Sequence, residues 1–421
     1  MTTDTASSRM ERLLTRRRNR ANFLAIWGGQ TISLLGDSVA YVALPLFVAE
    51  LTASALDLGL TAAFETMPTL LLGFLAGVLL DRLPLRPVLV LADLLRAAAF
   101  FALAMLVTGD RAEVWMIFLV AFLVGSSKVF FDSGLQALMP SVVPAEHLTN
   151  ANAWLQISQS LTFPLGGALA GYLAVTAGFE AAFGFNGITF LASGISLLLV
   201  RAIPLHRPSQ QRSFSVELRE GIGYLWEERK LRLMTLAGAL ANLVVAPLEV
   251  TLVLLAERQM GLQAFQIGLL FSALGLGAVA GAATSPRVIG RLGLGRAFVL
   301  GVVLLGGGLF LASFARDFLG GASTMFVAFY GVSWIQVSLI TYRQATTPPW
   351  LLGRVIAASR TVAWASLPVG AAVGGLLAEQ VGVANLFRSA PLLVVAAGVL
   401  LMFTPVWAAR ADSGSRVVGP A

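Results

Sequence analysis

The sequence predicts an all-α polytopic membrane protein with twelve transmembrane helices in two six-helix bundles. Three observations carry that prediction. Of 421 residues, 57% are hydrophobic and only 12% charged, and the mean hydropathy is +0.81. A soluble chain carries roughly a quarter charged residues. Apolar runs of about 18 or more residues recur along the whole length, each long enough to cross a bilayer as a helix. The alternating segments of a membrane β-barrel do not appear. Finally, the two halves repeat: LTFPLGGALAGYLAVTAG (161–178) lines up with ASLPVGAAVGGLLAEQVG (365–382). Pro164 matches Pro368, Gly166 matches Gly370, Gly171 matches Gly375 and Gly178 matches Gly382, all at an offset of 204.

Taken in order, the spans read as 22–49, 56–80, 87–108, 114–138, 150–176, 182–203, 233–256, 264–288, 297–315, 318–342, 354–378 and 386–408. The organisation that follows is a basic tail (1–21), a first bundle (22–203), a linker (204–232), a second bundle (233–409) and a C-terminal tail (410–421). The linker holds an amphipathic helix with Phe214, Leu218, Ile222 and Leu225 on one face, the pattern of a helix lying in the membrane interface. In spans five and eleven, small residues (Gly166, Gly167, Gly171, and Gly370 and Gly375) allow close helix packing. Pro164 and Pro368 each remove a backbone donor and kink their spans.

Orientation follows from the cations. With the N-terminus inside, 22 Lys and Arg fall on cytoplasmic segments, 4 on outer loops and 3 within spans. Both termini are therefore expected in the cytoplasm. The same bias accounts for the net charge of +7 without a nucleic-acid partner. Arginines far outnumber the two lysines, Lys128 and Lys230, and alanine is abundant, which suggests a bacterial source and hence a multi-pass protein of the plasma (inner) membrane.

Several chemistries are excluded. There are no cysteines, so disulfides and thiolate metal sites are absent. The two histidines, His147 and His206, fall in predicted loops and make no metal pair. No G-x-x-x-x-G-K-[ST] loop is present, so nucleotide hydrolysis does not drive the protein. The glycines at 275–281 follow no strand and are packing residues rather than a dinucleotide fingerprint. No cofactor is implied, and no enzymatic constellation is found.

The stretch GVLLDRLPLR (77–86) places Gly77, Asp81, Arg82 and Arg86 between spans two and three. Arginines there hold the turn inside, but an acid gains nothing from that bias. G-x-x-x-D-R-x-x-x-R at this place resembles the signature loop of the major facilitator superfamily. ALPLFVAELTASALDLGL, FETMPTLLLG, LADLLRA, FFDSGLQALMPSVVPAEHLTNANAW and TPPWLLGRVIA resemble its branch of macrolide-efflux proteins and the enterobactin exporter, over nearly the whole chain. The resemblance implies a cytoplasmic gate. Asp81 would face the start of span eleven near Gly353 and Arg354, where a helix N-terminus favours a carboxylate. Arg82 or Arg86 would pair with Asp132. Pro84 and Pro87 stand where many members have Gly, Arg or Lys. The family's antiporter motif in span five is matched only in part, with Phe163 in place of a Gly.

Ionisable groups within spans are expensive and are functional candidates by default. Asp37 in span one and Glu65 in span two fall on helices that line the central cavity in this fold. They are the expected proton-coupling or cation-binding residues, since an apolar surround favours the neutral form of a carboxyl. Glu249 in span seven and Arg360 in span eleven are further candidates. Asp93 with Arg96, and Lys128 with Asp132, have the spacing of neutralising pairs on one helix face. Phe64, Gln156, Gln159, Asn186, Asn242, Trp334, Gln336 and Trp364 are expected to line a wet, aromatic cavity. The resulting expectation is a monomeric secondary transporter that exchanges protons for a small hydrophobic or amphipathic compound. A siderophore exporter and a lysophospholipid or other lipid transporter are the alternatives.

Overall fold

A computed structural model describes residues 3–80, 82–143, 148–200 and 214–409, with the side chains of the first nineteen residues and of 74, 78, 149, 150, 214–218 and 349 outside the description. It contains thirteen helices among the described residues and no strand. They are α1 (Thr3–Thr52), α2 (Ala55–Leu80), α3 (Leu85–Thr108), α4 (Val114–Val142), α5 (Leu148–Thr176), α6 (Gly178–Leu199), α7 (Phe214–Glu227), α8 (Arg229–Met260), α9 (Ala264–Leu292), α10 (Leu294–Ala312), α11 (Phe318–Thr346), α12 (Pro349–Val381) and α13 (Val383–Met402).

Eleven of these are long and apolar enough to cross a membrane. The other two are the short α7 and α5. Helix α5 has 29 residues, but Asn152, Gln156, Ser158, Gln159 and Ser160 lower its apolar content. One expectation changes at the N-terminus: the basic tail is not separate from span one. Its helix formers, Met-Glu-Arg-Leu-Leu (10–14), continue the helix back to Thr3, and the apolar part begins at Arg20.

Helix ends follow local chemistry. Asp317 caps α11, its carboxylate accepting from the Gly320 amide at 2.7 Å. Gly261 closes α8 in the left-handed conformation at φ 65°. Prolines lie inside eight helices, among them Pro164 and Pro368, as membrane helices tolerate. Large apolar side chains are exposed all along the helices, including Met105, Leu119, Leu199, Leu319 and Leu400. That is the surface a bilayer covers and water does not.

The chain divides into two compact units. The first is Met1–Leu51 with Phe64–Pro208, and the second is Thr52–Ala63 with Ser209–Ala421. The division passes through α2. In the first unit a core of Ile26, Leu80, Leu85, Leu89, Phe131 and Leu197 joins α1, α2, α3, α4 and α6. In the second unit α10 packs on α11 and α13, α9 on α11, and α8 on α12.

Helix α7 belongs to the second unit and lies along α12. Of the apolar face expected from periodicity, two side chains are described. Leu225 is fully buried, but Ile222 is 39% exposed. The contact runs through Gly221, where a Cβ would collide with the Arg354 carbonyl. A bare glycine backbone, not an apolar stripe, sets the docking.

Candidate functional site

In the first unit the ionisable side chains near midspan lie on α1 to α4. Helix α1 is pinned on both sides of Asp37. A Cβ at Gly36 would collide with Thr189 and Asn186 on α6, and a Cβ at Gly166 on α5 would collide with Ser38. Asp37 lies between these two contacts and is partly exposed. Helix α2 meets α4 where Gly125 faces the Glu65 carbonyl, again with no room for a Cβ. Glu65 is partly exposed, and its neighbour Phe64 stacks on Phe118 with ring centroids 5.3 Å apart.

One turn after Gly125, Lys128 has an exposed side chain at the middle of α4. Its strongest electrostatic neighbour is Asp37, followed by Asp132 and Glu65. The i, i+4 spacing had pointed to Asp132 alone. Asp37 and Glu65 come from other helices, which periodicity within α4 does not reveal. The one lysine within a span was the available signal.

Asp93 and Arg96 form the ion pair that their spacing predicts, and it is buried, with side chains 0% and 3% exposed. The Arg96 guanidinium lies 4.3 Å from the ring centres of both Phe131 and Phe190. Ser193, close to Asp93, accepts from Gln30 Nε2 at 3.0 Å. This pair sits inside the helix packing, not on an open face.

The neutral candidates divide. Gln156 and Gln159 are exposed on α5, beside Ser158, which accepts from Trp27 Nε1 at 3.0 Å. Asn186 is corrected: it has no exposed surface, its Oδ1 accepts from Thr189 at 3.0 Å, and it packs against Gly36. It joins α1 to α6 instead of lining a cavity. In the second unit Asn242 donates to the Ala363 carbonyl at 2.9 Å and so ties α8 to α12. Trp334 lies 5.0 Å from Tyr330, Gln336 is exposed, and Trp364 is exposed under the Arg360 guanidinium at 4.9 Å. Glu249 is partly exposed in the middle of α8.

Of the gate residues, Asp81 lies outside the described residues, as do His147 and His206. Gly77 is exposed, and a Cβ there would meet nothing within 4 Å. Arg82 is exposed in the turn. Arg86 donates from Nε to the Leu197 carbonyl at 2.9 Å and from Nη2 to the Leu198 carbonyl. A cation on the last carbonyls of α6 satisfies acceptors that the helix itself leaves open. Asp132 is exposed.

Arg354 pairs with Glu220 of α7, so the linker helix supplies a carboxylate to the start of α12. Nearby, Tyr224 Oη donates to the Thr346 carbonyl at 2.7 Å, and Tyr342 Oη to Glu228 at 3.0 Å. Glu379 escaped the sequence reading. Its carboxylate accepts from the Ala55 amide at 2.9 Å and the Leu56 amide at 3.4 Å, capping the N-terminus of α2. The acid stands in the repeated stretch itself, five residues after the buried Gly374, but nothing in the sequence marks its partner.

The packing glycines have defined partners. A Cβ at Gly370 would strike the Leu243 backbone of α8, and one at Gly375 would lie 2.9 Å from the Gly59 Cα and the Ala55 carbonyl. Gly167 and Gly171 are buried along α5.

Comparison with known proteins accords with this arrangement. A family model described as "Transmembrane secretion effector" matches residues 18–419. Macrolide efflux protein A of Streptococcus pyogenes is 25% identical over 392 residues, covering 90% of this chain and 95% of that one. Multidrug efflux pump Tap of Mycolicibacterium fortuitum is 24% identical over 383 residues, covering 88% and 92%. Among solved structures, the nucleoside transporter NupG superposes with a TM-score of 0.72 at 11% identity, covering 91% of this chain and 98% of that one. A bacterial homologue of the iron transporter ferroportin gives 0.70 at 19% identity, covering 92% and 99%. These two share the fold. The chain is a multi-pass membrane transporter, and it belongs to the transmembrane secretion effector family of the major facilitator superfamily.

Proposed function

We propose that the protein exports a small hydrophobic or amphipathic organic compound from the bacterial cytoplasm in exchange for protons, by alternating access. In this reading it is a monomer in the plasma membrane with both termini in the cytoplasm. The observation that carries it is the pair of acids in the middle of α1 and α2. Asp37 and Glu65 sit on helices held by glycine contacts, both partly exposed, and both act on the same lysine. A charged group at midspan is retained for transport or proton relay far more often than for stability. The names of the macrolide and multidrug efflux relatives support the direction and the class of compound.

The test uses everted membrane vesicles that are acidic inside, with macrolides, lipophilic dyes and catecholate siderophores added in turn. Proton release on addition of a macrolide or dye is expected from the wild type. Its loss in Asp37→Asn or Glu65→Gln identifies the coupling acid. Release that survives both substitutions overturns the assignment of these acids. Release with the siderophores alone, or with no compound, overturns drug export.

A further inference from the structure

Lys128 has an unusual setting. It is at the middle of a helix long and apolar enough to cross the membrane, and its side chain is exposed from the first unit's own packing. A bare ammonium against lipid at that depth is strongly unfavourable. The side chain is therefore directed to the face where the acids are. Gly125, one turn earlier on the same side of α4, is pressed against the Glu65 backbone, which fixes the register of Lys128 relative to α2. From the packed elements, α1 contributes Asp37, α2 contributes Glu65, α3 contributes Arg96 and α4 contributes Asp132. Helix α5 has no charged residue, and α6 has only Glu180, at its opposite end from Leu199. Arg96 is occupied by Asp93 in the core. The acids that act on Lys128 are thus Asp37, Asp132 and Glu65.

We propose that Lys128 sets the charge selectivity of transport: the site takes amphiphiles that carry an amine for Asp37 or Glu65 together with an anionic or carbonyl oxygen for Lys128. The inference rests on the efflux reading and names its substrate class. Without Lys128 the face would be a plain cation trap. With it, a simple lipophilic cation meets a like charge, and a compound with both groups finds a partner for each. An ammonium has three donors and no acceptor, so the oxygen it selects must be an acceptor.

Two probes of one shape and opposite charge test this: tetraphenylphosphonium and tetraphenylborate, bound to the purified full-length protein. In Lys128→Gln, the affinity ratio of cation to anion is expected to rise about tenfold or more, since a like charge has been removed from one and a partner from the other. Lys128→Arg keeps the charge and is expected to keep the wild-type ratio. An unchanged ratio in Lys128→Gln overturns the proposal.

A second measurement does not depend on transport. The chain has only two lysines, Lys128 and Lys230. Reductive methylation with ¹³C-formaldehyde gives each a dimethylamine resonance beside that of the α-amino group, and Lys230→Arg and Lys128→Arg assign them. The Lys128 resonance is expected to move in Asp37→Asn and in Glu65→Gln. If it moves in neither, the charge cluster is refuted whatever the probes do. If it moves but the cation-to-anion ratio is unchanged in Lys128→Gln, the cluster stands and the charge selectivity fails, while the efflux reading is decided separately by proton release in the vesicles.

Discussion

In the first unit Gly166 lets α5 close on α1 at Ser38, and in the second Gly370, at the repeat offset of 204, lets α12 close on α8 at Leu243. The packing problem and its solution are the same within one residue of register. What stands beside the contact differs. Next to Ser38 is Asp37, whereas the equivalent position in the second unit is the buried Ala241. The duplication preserved the skeleton and left the midspan acids of α1 and α2 without a charged echo at that point. The ion pairs Asp93–Arg96 and Glu220–Arg354 show the same contrast. Asp93–Arg96 is enclosed among Phe131 and Phe190, with side chains 0% and 3% exposed, while Glu220–Arg354 is open, at 39% and 21%. The first unit holds charge inside its packing; the second holds this pair near its surface and ties a linker helix with it.

The largest effect is expected at the enclosed pair. Arg96→Met leaves Asp93 buried without its partner, and removal of one member of a buried pair costs about 3–5 kcal/mol. Arg96→Met combined with Asp93→Ala is expected to recover much of that loss. Thermal midpoints in detergent for the two singles and the double decide it, and additive losses would show that the pair is not coupled.

The next effect tests whether the repeated glycine contact is equally strict in both units. Gly166→Ala and Gly370→Ala are each expected to cost about 1–3 kcal/mol, as overpacking against backbone does. Gly77→Ala, facing open space, is expected to leave the midpoint unchanged. A loss in one unit only would mean that the other tolerates a wider helix spacing.

The linker contacts come last. Tyr224→Phe removes one hydrogen bond, worth about 1 kcal/mol. Burial, and then the Glu228 carboxylate, push the Tyr224 phenol above its ordinary value of 10.0. Its contribution is therefore present below that value and is lost as the pH rises through the folded one. The difference between wild type and Tyr224→Phe should shrink in strong alkali. Glu220→Gln is expected to cost at most about 1 kcal/mol, because the pair is exposed and screened. A larger loss would show that α7 holds α12 more firmly than its charges suggest.

Much of this was legible in the sequence, because each legible feature is a property of one helix. Length and apolarity mark eleven spans, and α5 was visible through its repeat partner even though its polar residues keep it below the others. The Asp93–Arg96 pair follows from i, i+3 spacing. The illegible features are all contacts between helices. Lys128 was matched to Asp132 on its own helix, but Asp37 of α1 acts on it more strongly. Asn186 read as a polar group available to a cavity, yet it faces Gly36. The apolar residues of α7 marked an interfacial helix, but its contact with α12 passes through Gly221, which no hydrophobic pattern weights. Glu379 finds the amides of Ala55 and Leu56 more than three hundred positions away.

The glycines of the second unit have a genetic consequence. Glycine is the smallest residue the code offers, so every missense change at Gly59, Gly370 or Gly375 adds atoms against main chain, which cannot rotate aside as a side chain can. At Gly77, Gly290, Gly307 and Gly353 an added Cβ meets nothing within 4 Å. Mutational tolerance along this chain should thus differ most between these two sets of glycines. A saturation scan scored by surviving membrane protein would read out where one helix backbone touches the next.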